Sequence, residues 1–427
     1  LEHFLFAGYL LLFTWIVTKI KFFTRSGLNK PQLIIIFLIK MMAGILYGWI
    51  GIYYGTTAQM VDTWSFHYMG VYDYKLLHAH PAEYFTNLFS NPYGYSYTDF
   101  LTGRDSFWNE LKAKFIVKLF SVFDIFSFGN YYINIIFYSF ISMFGVIGCY
   151  RMMTDAFPGK NVQIAISVFF IPSFLYWTSG IHKDGLIFTS LIFIIYNFYF
   201  GFKEKKITAT RVLFITAGVV LITLLRNFFL VLLIPPLLSW YFSLRFTKRP
   251  FFVFVLVHLF FAVIFFNAKY IHARLDFAKV VVSKQAEFLD MYAGSKVDVK
   301  ELRPTATDFL KTIPQAFGLS VLRPYPSDVT NIFSLAAAVE TELILGIFLL
   351  FLVYRVPIKA NKPFVYFCAF FSVSFLLSVG YTVMFIGAIV RYRSLIFPFL
   401  LTPMIVMIDW PRIAGIIFKI NGKRLNE

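Results

Sequence analysis

The sequence predicts an all-α, polytopic integral membrane protein, and two observations carry that prediction. Of its 427 residues, 59% are hydrophobic and only 14% charged, where a soluble chain is about half apolar and about a quarter charged. The apolar residues also come in continuous runs of about 15–22, long enough to cross a bilayer as helices. The strands of a membrane β-barrel would alternate apolar and polar side chains instead.

Eleven runs are candidate spans: 4–20, 32–54, 131–150, 162–179, 185–202, 212–225, 227–243, 250–267, 335–354, 363–386 and 394–409. The first has no basic residues before it and no small-residue cleavage site after it, so it reads as a span and not as a signal peptide. The short arms within 212–243 read as a hairpin with its apex at Arg226–Asn227.

Charge orients these spans. The short basic connectors, placed on one side, hold 20 of the 39 Lys and Arg residues and only four acids, Asp155, Glu204, Asp409 and Glu427. That side carries +16 of the net +17, as the positive-inside rule expects. The positive charge is thus a topology signal and not a nucleic-acid footprint. The N-terminus falls outside and the C-terminus inside. Three regions follow: 1–267, an N-terminal transmembrane region with an extracytoplasmic loop at 55–130; 268–334, an extracytoplasmic segment with amphipathic helices; and 335–427, a C-terminal transmembrane region.

Polar residues then collect on the outer face. The loop opening "VDTWSFHYMGVYDYKLLHAHPAEYF" sets Asp62, His67, Asp73, His78, His80 and Glu83 among aromatic rings. Rings stack on the C–H faces of sugars and carboxylates accept their hydroxyl protons, while an interfacial aromatic belt would look similar. The tip "TSGIHKDG" carries His182, Lys183 and Asp184. A helix N-terminus favours Asp184 but requires neither His182 nor Lys183. Arg226 sits at a hairpin apex, Arg391 and Arg393 lie in the external tip Ile386–Arg393 as the last run begins, in "RYRSLIFPFLLTP", and Arg323 lies in "LRPYPSDVTNIF". Guanidinium forks match phosphate oxygens, so a phosphate- or pyrophosphate-bearing ligand at the membrane surface suits them. Internal pairing with Asp184, Glu340 and Glu342 is the competing reading. Lys40, inside the second run, is expected to snorkel towards the cytoplasm.

Elsewhere, 270–294 has the periodicity of an amphipathic helix lying on the membrane or on the protein, and a second short helix starts near Thr307. Cys149 and Cys368 both fall in apolar runs and the seven histidines are scattered, so neither a disulfide framework nor a dedicated metal site is expected. There is no P-loop, no Rossmann glycine pair and no GxSxG.

Taken together, these motifs resemble bacterial membrane enzymes that use lipid-linked sugars. "VDTWSFHYMG" is similar to the acidic first-loop motif of GT-C glycosyltransferases and to the D-x-x-x-Y element of EpsG/Wzy-type polysaccharide polymerases. "RYRSLIFPFLLTP" is similar to the R-Y-x-x-P-x-x-P tail of GT-C enzymes related to protein mannosyltransferases. "PSFLYWTSGIHKDGL" and "LRPYPSDVTNIF" resemble segments of envelope proteins linked to surface-polysaccharide synthesis. The acidic loop here follows the second run and not the first, and no DxD or ExD is present, so use of a divalent metal stays open. The resemblance implies a multi-pass protein of the bacterial inner (cytoplasmic) membrane. It implies a glycosyltransferase or polymerase with a polyprenyl-phosphate-linked donor, with Asp62 as general base and His182 or His67 as alternatives. Arg226, Arg323, Arg391 and Arg393 would hold phosphate, and Lys183 and Asp184 would line the cavity. Two other classes remain: a lipid-linked glycan transporter, and a non-enzymatic membrane subunit of an export or motility assembly.

Overall fold

The computed structural model describes residues 2–54, 62–97, 100, 106–246, 249–291, 294–357 and 361–416. Gly55–Val61, part of the loop predicted to be extracytoplasmic, and the connector residues Lys248, Lys359, Lys419, Lys423, Arg424 and Glu427 lie outside the described residues.

In chain order the helices are α1 (Glu2–Val17), α2 (Lys21–Thr24), α3 (Lys30–Tyr53), α4 (Asp62–Ala79), α5 (Pro81–Thr86), α6 (Phe107–Ser127) and α7 (Tyr131–Ala156). There follow α8 (Asn161–Phe169), α9 (Pro172–Trp177), α10 (Lys183–Lys203), α11 (Ala209–Arg226), α12 (Phe228–Phe246) and α13 (Pro250–Asn267). The last six are α14 (Phe277–Asp290), α15 (Ala306–Phe317), α16 (Ile332–Tyr354), α17 (Lys362–Thr382), α18 (Ile386–Ser394) and α19 (Phe397–Val406). Among the described residues the fold is all-helical, with only isolated bridges such as Lys296 to Phe385.

Among the described residues eight helices are long and apolar enough to cross a bilayer: α3, α7, α10, α11, α12, α13, α16 and α17. They correspond to eight of the eleven predicted runs, and each of the other three departs for a physical reason. α1 has 16 residues, about 24 Å at 1.5 Å per residue, short of a core about 30 Å thick. The run 162–179 breaks into α8 and α9, because Pro172 donates no amide proton and holds Ile171 extended at φ −71, ψ 116. The last run starts earlier than predicted, at Ile386, and bends by 63° between α18 and α19. Among the described residues the count is therefore eight, or nine if the bent pair is one span.

Residues 212–243 form two helices that meet at Asn227, with α11 packed along α10 and α12 against α13 and α17. Polar caps mark where helices begin. Asn29 and Gln32 form a reciprocal pair at the head of α3, and Asn130, Thr208, Asn331 and Asn361 accept the first amide protons of α7, α11, α16 and α17. α14 rests on α13 and α17 with Ala278 and Gln285 buried, so this amphipathic face is covered by protein. α15 begins at a Thr305 cap, close to the predicted start.

α10 lies between α7 and α11, and two glycines set how closely they approach. A Cβ at Gly145 would stand 2.6 Å from the Thr189 Cα, and one at Gly218 would stand 2.7 Å from the Ser190 carbonyl oxygen. Backbone cannot swing aside as a side chain can. Gly218→Val is expected to push α11 off α10 and cost about 1–3 kcal/mol, read as a lower Tm of the detergent-purified protein. Gly8→Val, with nothing within 4 Å of the added carbon, should leave Tm unchanged.

Candidate functional site

The turn between α9 and α10, residues 178–182, is held by side chains from three other helices. Lys40 of α3 donates from Nζ to the Thr178 carbonyl at 2.7 Å and to Ser179 Oγ at 3.2 Å. Thr63 of α4 donates from Oγ1 to the Ile181 carbonyl at 2.9 Å. The Tyr138 hydroxyl of α7 donates to the His182 carbonyl and accepts the Gly185 amide proton at 3.0 Å. The expectation that Lys40 snorkels towards the cytoplasm is corrected. Its ammonium is buried and turns to this bend, where the end of a short helix leaves carbonyls free to accept.

His182 caps α10, with Nδ1 accepting the Lys183 amide proton at 2.7 Å. Arg391 Nη2 lies 2.7 Å from Nδ1 and 2.5 Å from Nε2 of the same ring, and Asp62 Oδ2 is 3.6 Å from Nε2. Asp184, in the first turn of α10, is fully buried. Its Oδ2 accepts from Arg391 Nε at 2.6 Å and lies 3.2 Å from His182 Nδ1, while Oδ1 is 3.5 Å from Arg226 Nη1. Arg391 also reaches Asp62, with Nη1 3.5 Å from Oδ2.

Six residues from four separate segments thus converge: Asp62, His182, Lys183, Asp184, Arg226 and Arg391. Aromatic rings form the walls. Arg226 lies 4.2 Å from the Tyr392 ring centroid, Arg391 5.4 Å from Trp177, and Lys183 Nζ 5.4 Å from Phe66, all within cation–π range. The buried end of the cluster is Asp184 and the open end is Asp62, whose side chain is 60% exposed. The His182 ring, and behind it Arg391, hold the Asp62 carboxyl down at about 2, so Asp62 is ionised at any physiological pH.

The remaining predicted residues lie apart from this cluster. His67 is buried among Trp64, Tyr68 and Tyr131, and burial pushes its imidazole down to about 4. Arg393 is buried with its guanidinium on the carbonyls of Ser320, Val321 and Arg323 and on Thr341 Oγ1. Arg323 pairs with Asp328 at 3.2 Å. Both arginines brace the polypeptide around residues 318–328, which lacks regular α-helical hydrogen bonding and so exposes carbonyls that need donors. Glu340 accepts the Ser173 amide proton at 2.8 Å. Asp73 pairs with Lys118 at 3.0 Å, and His78, His80 and Glu83 are exposed. His78 and His80 are a His-x-His pair, yet among the described residues no group of three or more His, Cys, Asp or Glu is placed to hold a metal ion.

The sequence reading passed over Asp124 of α6, which carries the helix behind Asp62. Its Oδ1 accepts from Asn134 Nδ2 at 2.7 Å, and a Cβ at Gly70 of α4 would come within 3.0 Å of its Oδ2. No motif marks such a residue, because only the packing of α4 on α6 buries it.

Compared with family models, curated proteins and solved structures, the chain matches none of them.

Two outcomes test this account. Lys40→Met removes the donor to Thr178 and Ser179, leaving buried acceptors unpaired at a cost of about 1–3 kcal/mol. The Tm should fall, and the His182 ring should react faster with an acylating reagent as the turn loosens. For Asp124, burial raises the carboxyl to about 6 despite hydrogen bonds from Asn134 and Ser127. The folded chain then keeps a proton that the unfolded chain releases, so stability falls as pH rises from about 4 to about 6. Asp124→Asn should flatten the dependence of Tm on pH across that window.

Proposed function

We propose that this chain is a membrane-embedded glycosyltransferase or polysaccharide polymerase that draws a polyprenyl-phosphate-linked sugar from the outer face of the bacterial inner membrane. One observation supports the reading above all. Around the Asp62–His182–Asp184 line stand three cations, and two of them keep donors in reserve. Among the described residues Arg226 makes no hydrogen bond and meets Asp184 only at 3.5 Å, and Lys183 Nζ touches only the Phe66 ring. Three cations against two carboxylates leave a surplus of positive charge that suits an anionic phosphate. The exposed Asp62 carboxylate stands beside that surplus.

On this reading Lys183 and Arg226 grip the donor's phosphate, and Arg391 is anchored by Asp184 so that its outer edge faces the same anion. As the bond from the sugar's anomeric carbon to the phosphate oxygen breaks, these cations take up the negative charge left on the lipid phosphate. The acceptor hydroxyl attacks that carbon and passes its proton to Asp62. A carboxylate held so acidic is a weak base for a free alcohol, so transfer occurs late, as the new C–O bond makes the hydroxyl proton acidic. Aromatic side chains along α4 offer the faces on which sugars stack.

The test uses purified protein in liposomes with a polyprenyl-phosphate sugar and a polyprenyl-diphosphate sugar, following release of the lipid phosphate. Lys183→Gln and Arg226→Gln are expected to raise the KM for the donor about 10–100-fold, the loss of one charge-assisted hydrogen bond each. Arg226→Lys should recover only part of that, because an ammonium lacks the guanidinium fork. Asp62→Asn should lower kcat about 10²–10⁴-fold with KM little changed. Full turnover by folded Asp62→Asn would remove the base assignment. Passage of the intact lipid sugar across the bilayer, with no bond broken, would replace the transferase with a transporter.

A further inference from the structure

α16 is long and apolar enough to span the bilayer, yet among the described residues its buried side chains are only Ala338, Glu340 and Thr341. They face α9 and α19, the neighbours against which α16 packs. The opposite side is open. Val339, Leu343, Leu349 and Val353 are each more than half exposed, and Glu342, Leu343, Gly346, Leu349, Val353 and Tyr354 line a shallow groove along the helix. Apolar side chains facing outward are ordinary in lipid. Glu342 is not. It lies about 15 Å from the start of the helix and about 18 Å from its end, so the span carries it deep into the hydrocarbon.

Among the described residues Glu342 has no hydrogen bond and no ion pair, although Glu340, two residues before it, is taken up by the Ser173 amide. An unpaired carboxylate at that depth is costly, and even when protonated its O–H and carbonyl need partners. Whatever covers this face must supply a donor at the level of Glu342. A second copy whose twofold axis passes beside Glu342 would bring a carboxylate against a carboxylate. A basic side chain would instead form a charge-assisted pair in a low-dielectric setting. One turn further on, a Cβ at Gly346 would meet nothing within 4 Å, so the surface beside Glu342 is low enough for a neighbouring helix to approach closely.

We propose that the outward face of α16 docks a transmembrane helix of a different membrane protein, one that carries a lysine or arginine at the depth of Glu342. The contact pairs that cation with Glu342 and seats the partner's backbone over Gly346, with Leu343, Leu349 and Val353 packing along it. It is independent of the transferase reading, because none of these residues belongs to the Asp62–Asp184 cluster.

Defined helices test the proposal. The full-length protein is labelled and reconstituted in phosphatidylcholine liposomes with synthetic leucine-rich helices of about 20 residues. One helix has a single central lysine, the other leucine at the same place, and association is read by energy transfer. The lysine helix is expected to bind at least tenfold more tightly than the leucine helix. Glu342→Gln should abolish that preference and Glu342→Asp should restore most of it, and both variants should fold because the residue faces away from the protein. Equal binding of the two helices, or a preference for lysine that survives in Glu342→Gln, overturns the proposal. So does energy transfer between differently labelled copies of the wild-type protein that Glu342→Gln removes, since the face would then belong to a second copy.

Discussion

The buried carboxylate of Asp184 is the constraint on which the arrangement of the bundle depends. It stands in the first turn of α10, fully shielded from water, with Arg391 at 2.6 Å and Arg226 at 3.5 Å. Leaving one member of such a pair buried alone costs about 3–5 kcal/mol, more than most single packing contacts contribute. Arg391 must therefore come from α18, more than two hundred residues later, and Arg226 from the end of α11. Arg391 sits in the last turn of α18, just before the 63° bend into α19. The helix dipole at the head of α10 adds to the same attraction.

A pair this demanding needs a rigid frame, and the polar side chains around it serve that purpose. Lys40, Thr63 and Tyr138 each satisfy a carbonyl of the 178–182 turn, so the backbone that carries His182 and Asp184 is fixed from three directions. In a medium without water a free carbonyl has no other partner. Buried Arg393 does the same for residues 320–323 with contacts to three backbone carbonyls. Polar residues in this chain thus divide into two kinds. Some satisfy backbone left open where helices break, and others confront one another at the open end of the cluster, where donors on Lys183 and Arg226 remain.

Much of the cluster was legible in the sequence, for a simple reason. Once hydropathy and the basic connectors put the tips at 179–185, 226–227 and 386–393 on one face, Asp62, His182, Lys183, Asp184, Arg226 and Arg391 had to share it. Nothing in the sequence separated Arg391 from Arg393. They are two residues apart on one helix and so point to different sides, one to Asp184 and the other to the carbonyls at 320–323. Lys40 was misread because hydropathy says how deep a residue lies, and not which way its side chain turns. The three runs that failed as straight spans held length and apolarity in the sequence but broke or stopped short in the fold.

By itself the sequence determined that this is an all-helical membrane protein and pointed to Asp62, His182, Lys183, Asp184, Arg226 and Arg391 at one end of its helices, though it grouped His67, Arg323 and Arg393 with them. Both follow from the low dielectric of lipid, which imposes long apolar runs and drives charge to their tips. Only the tertiary structure decided which arginine meets which carboxylate, that Asp124 is buried, and that Glu342 faces outward with no partner among the described residues. Those outcomes depend on how helices rotate and pack against one another. A residue's helix face becomes an inside or an outside only when a neighbour is there to cover it.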